Sequence, residues 1–353
     1  MRDDLRARGA FERRGGVSVR GSGGGMTRGR FLAAAGGLLL VGGLGGCGGG
    51  ESGGEARSAI SHRYGRTEIP ATAERVVTVG YTGHDAVLAL GVAPVAVREW
   101  FGEKPYATWA WARDELGGAE PEVLPPTELD FERIAALEPD LILGVTSGMT
   151  QDEYDTLSEI SPTVAQSDEY VDYGVPWQEA TRTTGRALGR ERRAEEAVSE
   201  VESRFEETRT EHPEFENATG VVALYGENGS FSAYGPQDTR GRFMSALGFE
   251  LPEEIAELAG DQFYAEISNE RLNLLDTDAL VVIVPDGGRG ALEQDELYRE
   301  LAVVREGRAI VLETSDTLAG ALSFGTVLSL PYLLDELVPR LSRSVSGAAE
   351  AAG

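Results

Sequence analysis

The sequence predicts an α/β fold of two similar lobes, with parallel-type central sheets, joined by one long helix. A helix followed by a strand occupies residues 132–144, and the same pattern recurs at residues 270–284. In both copies Glu-Arg begins the helix, a leucine lies five residues after the glutamate, and an aspartate lies eight residues after it. An apolar run then predicts a buried strand. The longest helical pattern of the chain lies between the two copies.

Two further matches keep the same order along the chain. The predicted strands that contain Val76 and Val221 are 145 residues apart, and the Ala-Leu-Gly segments at 89–91 and 246–248 are 157 residues apart. The two glutamates of the repeated unit are 138 residues apart. Duplication of one α/β lobe predicts this regularity better than coincidence does.

The first lobe is predicted at residues 60–175, and its elements have local signals. Residues 75–80 form a β-branched run typical of a strand, and a helix follows at 85–90 and ends at Gly91. Pro139 ends the repeated helix, because proline cannot donate a helical hydrogen bond. The other predicted elements are strands at 92–97, 141–143 and 161–165 and a helix at 154–160.

A single helix is predicted over residues 176–212, between the two lobes. Pro176 stands at its start, where a missing N–H group is tolerated, and His212 precedes the proline that ends it. The apolar stripe of this segment runs among glutamates and arginines. At about 1.5 Å per residue the helix spans roughly 50 Å, with Gly185 and Gly189 as positions where it bends.

The second lobe is predicted at residues 213–345, and residues 346–353 are predicted to be a disordered tail. A helix at 242–247, closed by Gly248, is matched to the helix of the first lobe at 85–90. The other predicted elements are strands at 220–226, 280–284 and 308–312 and a closing helix at 328–341.

The first 46 residues are predicted to be a lipoprotein signal peptide. Their apolar part, residues 31–46, is too short and too rich in glycine for a transmembrane helix. It ends in Leu-Gly-Gly before Cys47, which resembles the bacterial box in which the cysteine receives lipid. Cys47 is the only cysteine, so no internal disulfide is expected. Residues 47–59 then form a flexible tether, and the protein is expected at the cell membrane, lipid-anchored on the extracellular or periplasmic face.

Charge excludes one class of partner. The chain has 32 basic and 59 acidic residues, and removal of the first 46 residues leaves 24 and 56, a net charge of −32. Such a chain is not expected to bind nucleic acid. A bound metal ion is not predicted either, because three histidines and one cysteine offer too few ligands.

Signatures of an enzyme are missing from the predicted strands and helices. No Gly-x-Ser-x-Gly turn, phosphate loop or Gly-x-Gly-x-x-Gly motif follows a predicted strand. His84 and Asp85 are adjacent in the chain, so they are not expected to orient each other as a catalytic pair. The protein is therefore predicted not to be an enzyme and to need no cofactor. A lipid-anchored extracellular hydrolase is the alternative from a different class.

Together these features resemble the substrate-binding lipoproteins of ABC importers for ferric siderophores, haem and cobalamin. The resemblance rests on the segments at 139–142, 268–271 and 330–335, joined to the lipoprotein box, and it covers about residues 75–341. It implies that the connecting helix is rigid and that a ligand cleft lies between the lobes. It also implies capture of an iron(III)–siderophore complex and its delivery to a permease with its ATPase. Haem or cobalamin is the alternative ligand, and Tyr81 and His84 are the candidates to ligate haem iron.

The resemblance also assigns two glutamates to the permease. One exposed glutamate on each lobe docks onto permease arginines in the family, and the motif positions place them at Glu132 and Glu270. Charge-assisted contacts at two distant points fix orientation. The alternative is that each glutamate is a helix-start acid favoured by the helix dipole. Some family members have an arginine six residues before the first glutamate, where this chain has Pro126.

Candidate ligand contacts are aromatic residues and groups that reach oxygen atoms. Three of the four tryptophans lie within residues 100–111, in a loop after a predicted strand. Such a loop forms either a wall of a cleft or a separate hydrophobic cluster. The arginines at the start of the helix in the second lobe bind either ligand oxygens or neighbouring acids. The candidates are Tyr81, Trp100, Phe101, Tyr106, Ser147 and Met149 in the first lobe and Tyr225, Phe231, Tyr234, Arg240, Arg242 and Phe324 in the second.

Overall fold

A computed structural model describes residues 58–226 and 228–347. The predicted signal peptide and the lipidation site at Cys47 lie outside the described residues, as do the tether up to residue 57 and the tail from residue 348. The tether is shorter than predicted, because Ser58 and Ala59 already belong to a strand. Ser346 still belongs to the last helix, which shortens the predicted tail. Within the described ranges no helix is both long and apolar enough to cross a bilayer.

The first lobe is a parallel sheet with helices, as predicted. An antiparallel hairpin precedes it and consists of β1 (Ser58–His62) and β2 (Gly65–Ile69). The strands are β3 (Val76–Thr78), β4 (Ala96–Arg98), β5 (Glu122–Leu124), β6 (Leu141–Gly144) and β7 (Thr163–Ala165). The helices are α1 (Gly83–Ala89), α2 (Phe131–Ala136) and α3 (Gln151–Ile160), with 3₁₀ turns at Pro105–Ala107, Ala110–Ala112 and Asp114–Leu116. The sheet order is β5-β4-β3-β6-β7, and all neighbours are parallel.

The predicted single helix over 176–212 is two helices, α4 (Trp177–Leu188) and α5 (Glu191–Glu211). Gly189 ends α4 with a left-handed φ of 62°, a conformation that glycine adopts without steric cost. Gly185 lets α5 pack against α4, because a Cβ at this position would lie 2.5 Å from the Cβ of Ala194. Only α5, at 21 residues or about 31 Å, is the connector.

Helix α5 begins against the first lobe and ends against the second. Ala194 belongs to the core of the first lobe, whereas Val201 and Phe205 belong to that of the second. Arg193 Nε donates to the carbonyl of Ala89 at 2.9 Å, and Arg204 Nη2 donates to Asp335 Oδ1 at 2.6 Å. One helix anchored at both ends joins the lobes, which confirms the predicted architecture.

The second lobe arranges its strands in the same order as the first. The strands are β8 (Gly220–Tyr225), β9 (Phe231–Tyr234), β10 (Tyr264–Ile267), β11 (Ala279–Val284) and β12 (Ala309–Glu313), in the order β10-β9-β8-β11-β12. The helices are α6 (Thr239–Leu247), α7 (Glu253–Ala259), α8 (Arg289–Gln294), α9 (Glu296–Glu300), α10 (Ala302–Arg305), α11 (Thr317–Phe324), α12 (Ser329–Glu336) and α13 (Val338–Ser346), with 3₁₀ turns at Pro213–Phe215 and Asn269–Leu275. The predicted closing helix at 328–341 is therefore two helices that meet at Leu337.

The lobes differ at their second strand. Strand β9 is antiparallel to both neighbours, because a short turn in which Gly226 N donates to the Ser230 carbonyl returns the chain at once. In the first lobe helix α1 precedes the second strand, whereas α6 follows it in the second lobe. The predicted match between helices 85–90 and 242–247 is thus wrong topologically. The added hairpin explains why the 157-residue spacing of that match exceeds the other two.

The two copies of the repeated unit also differ in helix type. The first is the α-helix α2, capped by Asp130, whose side chain accepts from the backbone N–H of Arg133. The second is a 3₁₀ helix, in which the buried residues Leu272 and Leu275 are three apart. A 3₁₀ helix has three residues per turn, so this spacing puts both leucines on one face.

Candidate ligand-binding cleft

The two lobes face each other at the carboxyl ends of their strands. Strand β3 leads into Tyr81, β4 leads into Trp100, and β12 leads into α11, which ends at Phe324. Ligands of open α/β sheets bind at this edge, where loops from several strands converge. Contacts between the lobes, such as those of Trp100 with Phe324 and of Arg242 with Gly174, bring these loops together.

Five aromatic residues, which we call the aromatic cluster, line the junction between the lobes. Trp100 stacks on Tyr81 with ring centroids 5.9 Å apart, and Tyr173 stacks on the same Tyr81 at 5.9 Å. Phe101 packs edge-on against Trp100 at 4.9 Å. Phe324 reaches across from the second lobe to Trp100 at 5.6 Å. Both lobes therefore contribute to one apolar surface.

The loop that carries Trp100 and Phe101 has a strained backbone. Glu103, Tyr106 and Ala107 have φ values of 47°, 58° and 49°, which side chains other than glycine rarely adopt. Gly102 is needed beside them, because a Cβ there would lie 2.5 Å from the Trp109 ring. Strain of this kind is held by surrounding packing and clusters at functional sites. Here it orients the aromatic wall of the first lobe.

Trp109 and Trp111 pack between the lobes, beside the aromatic cluster. Their rings stack at 5.3 Å, and Trp109 is 1% exposed. A Cβ on Gly320 of helix α11 would lie 2.7 Å from the Trp109 ring, so this glycine allows the second lobe to approach. The tryptophan-rich segment thus forms both a cleft wall and an interlobe core.

Three arginines lie at the same junction. Arg98 stacks over Tyr81 at 4.4 Å and is 6% exposed, and sequence reasoning missed it. Arg240 stacks over Tyr234 at 4.0 Å and donates to both carboxylate oxygens of Asp238 at 2.9 Å. Arg242 Nη1 crosses between the lobes and donates to the carbonyl of Gly174 at 2.9 Å. Each lobe therefore supplies guanidinium groups to the cleft.

Tyr173 is the second residue that sequence reasoning missed. It lies in a polar loop and has a φ of 63°, and nothing in the local pattern indicates an aromatic contact. Its ring covers Gly148, where a Cβ would lie 2.5 Å from the ring. Burial raises the pKa of its phenol to about 12, so the hydroxyl stays protonated at neutral pH. Arg98 differs, because the sequence shows an arginine directly after the predicted strand at 92–97, although its burial is known only from the fold.

The structure brings Tyr81, Trp100, Phe101 and Phe324 together, and it places other candidates elsewhere. Tyr106 packs with Leu88 and Leu116, away from the cluster, because its left-handed backbone turns it aside. Ser147 and Met149 are 2% and 3% exposed. Ser147 Oγ donates to the Gly144 carbonyl at 2.8 Å, and Met149 packs in the core of the lobe.

Three candidates of the second lobe are core residues. Tyr225 and Phe231 contact each other at 4.9 Å within the core on one face of the sheet. Side chains alternate along a strand, so Tyr234, three residues after Phe231, belongs to the opposite face. Tyr234 is 9% exposed and supports Arg240. The prediction that Tyr225 and Phe231 line the cleft is corrected accordingly.

His84 and Asp85 form a buried polar cluster where α1 meets the second lobe. Trp111 Nε1 donates to Asp85 Oδ2 at 2.8 Å, and Thr326 of the second lobe donates to the same oxygen. His84 Nε2 lies 3.6 Å from Asp85 Oδ1, which is too far for a hydrogen bond. Among the residues that the structure describes, neither ring nitrogen of His84 has a hydrogen-bond partner. The Tyr81 hydroxyl donates to the Pro126 carbonyl at 2.9 Å, so neither candidate haem ligand has its polar atom directed at an open site.

The pKa values of this pair are shifted by burial in opposite directions. Burial lowers the pKa of His84 below its ordinary 6.5, against the opposing pull of Asp85, and raises that of Asp85 above 3.8. The neutral form of His84 is therefore the one compatible with the fold.

We expect acidification below pH 6.5 to destabilise the protein through His84. The unfolded chain binds a proton there and the folded chain does not, so the stabilisation present above 6.5 is lost as the pH falls towards the folded value. The loss is at most about 1.4 kcal/mol per pH unit for one site. Urea unfolding across this range measures it, and His84→Gln should flatten the dependence. His62, whose pKa burial also lowers, adds a slope of the same sign, whereas Asp85 and Glu99, whose pKa values burial raises, add slopes of the opposite sign.

The two predicted docking glutamates are exposed at corresponding places. Glu132 lies in the first turn of α2, and Glu270 lies in the first turn of the 3₁₀ helix at 269–275. Helix α2 lies between the parallel strands β5 and β6, and the 3₁₀ helix lies between β10, which is antiparallel to its neighbour β9, and the parallel strand β11. The backbone N–H of Glu270 lowers the pKa of its own carboxyl, so this group is charged at neutral pH.

Comparison with known proteins agrees with this architecture. A family model described as periplasmic binding protein matches residues 76–315. The Bacillus subtilis protein named "Probable siderophore-binding lipoprotein YfiY" is 28% identical over 294 residues, which cover 79% of this chain and 86% of that protein.

Solved structures give the same result. A periplasmic solute binding protein from Mycobacterium smegmatis is 34% identical with a TM-score of 0.74, over 81% of this chain and 98% of that one. PiaA of Streptococcus pneumoniae, solved in complex with ferrichrome, is 26% identical with a TM-score of 0.71, over 83% and 99% of the two chains. With two lobes, one connecting helix and loops that converge between them, the chain belongs to the periplasmic binding protein family.

Proposed function

We propose that this protein is the substrate-binding lipoprotein of an ABC importer and that it captures a ferric siderophore complex between its lobes. The observation that carries the proposal is the lining of the cleft, where Trp100 and Tyr81 of one lobe meet Phe324 of the other and arginines lie on both sides. A bulky complex with an organic shell and oxygen-rich centre requires such aromatic area and such donors. The protein has a transport role and no catalytic one, and the iron(III) complex is cargo.

The relatives support this ligand class. Among the similar proteins are a probable siderophore-binding lipoprotein, an Fe(3+)-citrate-binding protein and a protein solved in complex with ferrichrome. In the proposed cycle a lipid on Cys47 holds the protein on the extracellular or periplasmic face of the membrane. The loaded protein then docks on a permease, with its ATPase on the other side, through Glu132 and Glu270.

Trp100→Ala is expected to weaken binding of a ferric siderophore by about tenfold or more. Removal of the indole deletes a stacking surface that contacts three other members of the aromatic cluster. Quenching of tryptophan fluorescence in the full chain, titrated with a panel of ferric siderophores, haem and cobalamin, measures the affinity. Tyr154→Ala is the matched control and should bind as the unaltered protein does, because the Tyr154 ring packs against His62 and Tyr64, outside the aromatic cluster.

Two results of this titration would count against the proposal. Haem and cobalamin are the alternative ligands, and tight binding of either one alone would replace the siderophore assignment. Failure of every ferric complex to bind the full chain would remove the function altogether.

A further inference from the structure

The two buried arginines of the described chain differ in how their charge is balanced. Arg98 and Arg240 are 6% and 9% exposed. Arg240 forms an ion pair with Asp238, to which it donates twice at 2.9 Å, so its charge is neutralised inside the protein. Among the described contacts of Arg98 there is no carboxylate.

Within residues 58–226 and 228–347, the hydrogen bonds of Arg98 go to neutral backbone oxygens. Its Nη2 donates to the carbonyl of Pro126 at 3.0 Å and to that of Thr127 at 3.3 Å, and its Nη1 donates to the carbonyl of Val79 at 3.4 Å. Among these residues its Nε, like that of Arg240, is buried without a hydrogen-bond partner. A buried cation without a counter-charge is costly to the fold, so its retention at a cleft indicates a negative charge that arrives with a ligand.

Arg242 brings a second, half-buried guanidinium group from the other lobe. Its hydrogen bonds in the described structure go to the carbonyl of Gly174 at 2.9 Å and the amide oxygen of Gln237 at 3.3 Å, both neutral. Burial lowers the pKa of its guanidinium, and the nearby charge of Asp238 opposes this shift without cancelling it. An anion in the cleft would reverse that shift. Gly174 adjoins Tyr173, whose ring stacks on Tyr81 under Arg98, so the two arginines flank the same segment.

The acids near these arginines are engaged elsewhere. Asp238 pairs with Arg240, and Asp172 pairs with Arg63. Glu99 Oε1 accepts from the backbone N–H of Trp100 at 3.2 Å, and burial raises the pKa of this carboxyl. The chain has a net charge of −27, yet in the described structure Arg98 and Arg242 form no hydrogen bond to a carboxylate. The cleft therefore has a local excess of positive charge.

We propose that Arg98 and Arg242 select the charge of the ligand, and that the ligand is a ferric complex with net negative charge on carboxylate or catecholate oxygens. This inference rests on the proposed function and narrows its ligand class. Three singly charged hydroxamates neutralise Fe³⁺ and leave a neutral complex. Citrate or three doubly charged catecholates leave an anionic one, and guanidinium groups bind such oxygens with charge-assisted hydrogen bonds.

The test compares three probes on the full chain purified in detergent. Ferric citrate and ferric enterobactin, a tris-catecholate, are the anionic probes, and ferrichrome is the neutral one. We expect at least one anionic probe to bind about tenfold or more tightly than ferrichrome, and its affinity to fall as salt is raised while that of ferrichrome changes little. The salt series needs no variant and so does not depend on refolding.

Substitutions of the two arginines then test whether they cause the preference for the anionic probe. Arg98→Gln and Arg242→Gln should each weaken the anionic probe about tenfold and change ferrichrome affinity less than about twofold. Arg98→Lys keeps the charge and should restore part of the preference. Arg299→Gln makes the same charge change at an exposed position of α9 and should have no effect.

The outcomes distinguish failure of the charge selection from failure of the proposed function. If ferrichrome binds as tightly as both anionic probes, or the glutamine variants keep the anionic preference, the charge selection is wrong although siderophore binding stands. If none of the three probes nor any other ferric complex binds, the proposed function itself fails.

Discussion

Asp85→Ala is expected to lower the free energy of unfolding by about 2–5 kcal/mol. The carboxylate of Asp85 accepts hydrogen bonds from Trp111 of its own lobe and from Thr326 of the other lobe, in a site where it is 0% exposed. Alanine leaves both donors buried without an acceptor and opens a cavity beside His84. Alanine also removes the cost of burying a charged carboxyl group, but this gain offsets only part of the loss. Burial raises the pKa of Asp85 and so favours its neutral form, which costs less to bury.

The matched variant is Asp85→Asn, which keeps an oxygen for the same two donors. Its amide group would face His84 Nε2, which has no hydrogen-bond partner in the described chain and lies 3.6 Å from Asp85 Oδ1. We therefore expect asparagine to lose far less stability than alanine does. Urea unfolding followed by circular dichroism measures both variants. Equal losses in the two would show that the lobes are not held together through this acceptor.

The repeated unit made the architecture predictable because buried strands need continuous apolar runs. Strands β6 and β11 are buried at every position, so each appears in the sequence as a run of apolar residues. The spacing between copies then indicated two lobes. Strand β9 was not predicted, since four residues beside a turn carry little pattern and its antiparallel direction depends on that turn alone.

The length of the connector was overestimated because the pattern continues across the break. Helices α4 and α5 both place apolar residues among charges at helical spacing, and the break needs only the left-handed Gly189. A glycine in a helical pattern is compatible with a bend or with a reversal of direction. The packing of Gly185 against Ala194 favours the reversal of direction, and the sequence alone does not show that contact.

The site was predicted where an aromatic residue follows a strand, and it was missed where tertiary packing decides. Tyr81 and Trp100 come soon after β3 and β4, and both reach the cleft. Tyr225 and Phe231 are also aromatic, but their side chains belong to the core on one face of the sheet. The sequence does not distinguish the two cases, because cores and clefts are lined by the same types of side chain. Arg98 was passed over because the burial that makes its charge informative is known only from the fold.

Replacing both Glu132 and Glu270 with alanine is expected to abolish uptake while leaving ligand affinity unchanged. Both residues are exposed at the starts of corresponding helices, and neither contacts the aromatic cluster in the described structure. In the proposed complex each carboxylate meets a permease arginine, and the loss of a charge-assisted contact at each end removes orientation as well as affinity. A fall of roughly 100-fold in uptake rate corresponds to the loss of about 3 kcal/mol across both contacts.

The control must distinguish the loss of docking contacts from the change in the net charge of the protein. Glu200→Ala with Glu257→Ala removes two exposed glutamates from α5 and α7, and so changes the net charge equally at positions away from both helix starts. Cells that contain the permease should take up ferric siderophore normally with this control and poorly with the docking pair. Each single docking variant should give an intermediate rate, because two separated contacts hold the complex. Normal uptake by the double variant, with its ligand affinity intact, would show that Glu132 and Glu270 serve only as acids at helix starts.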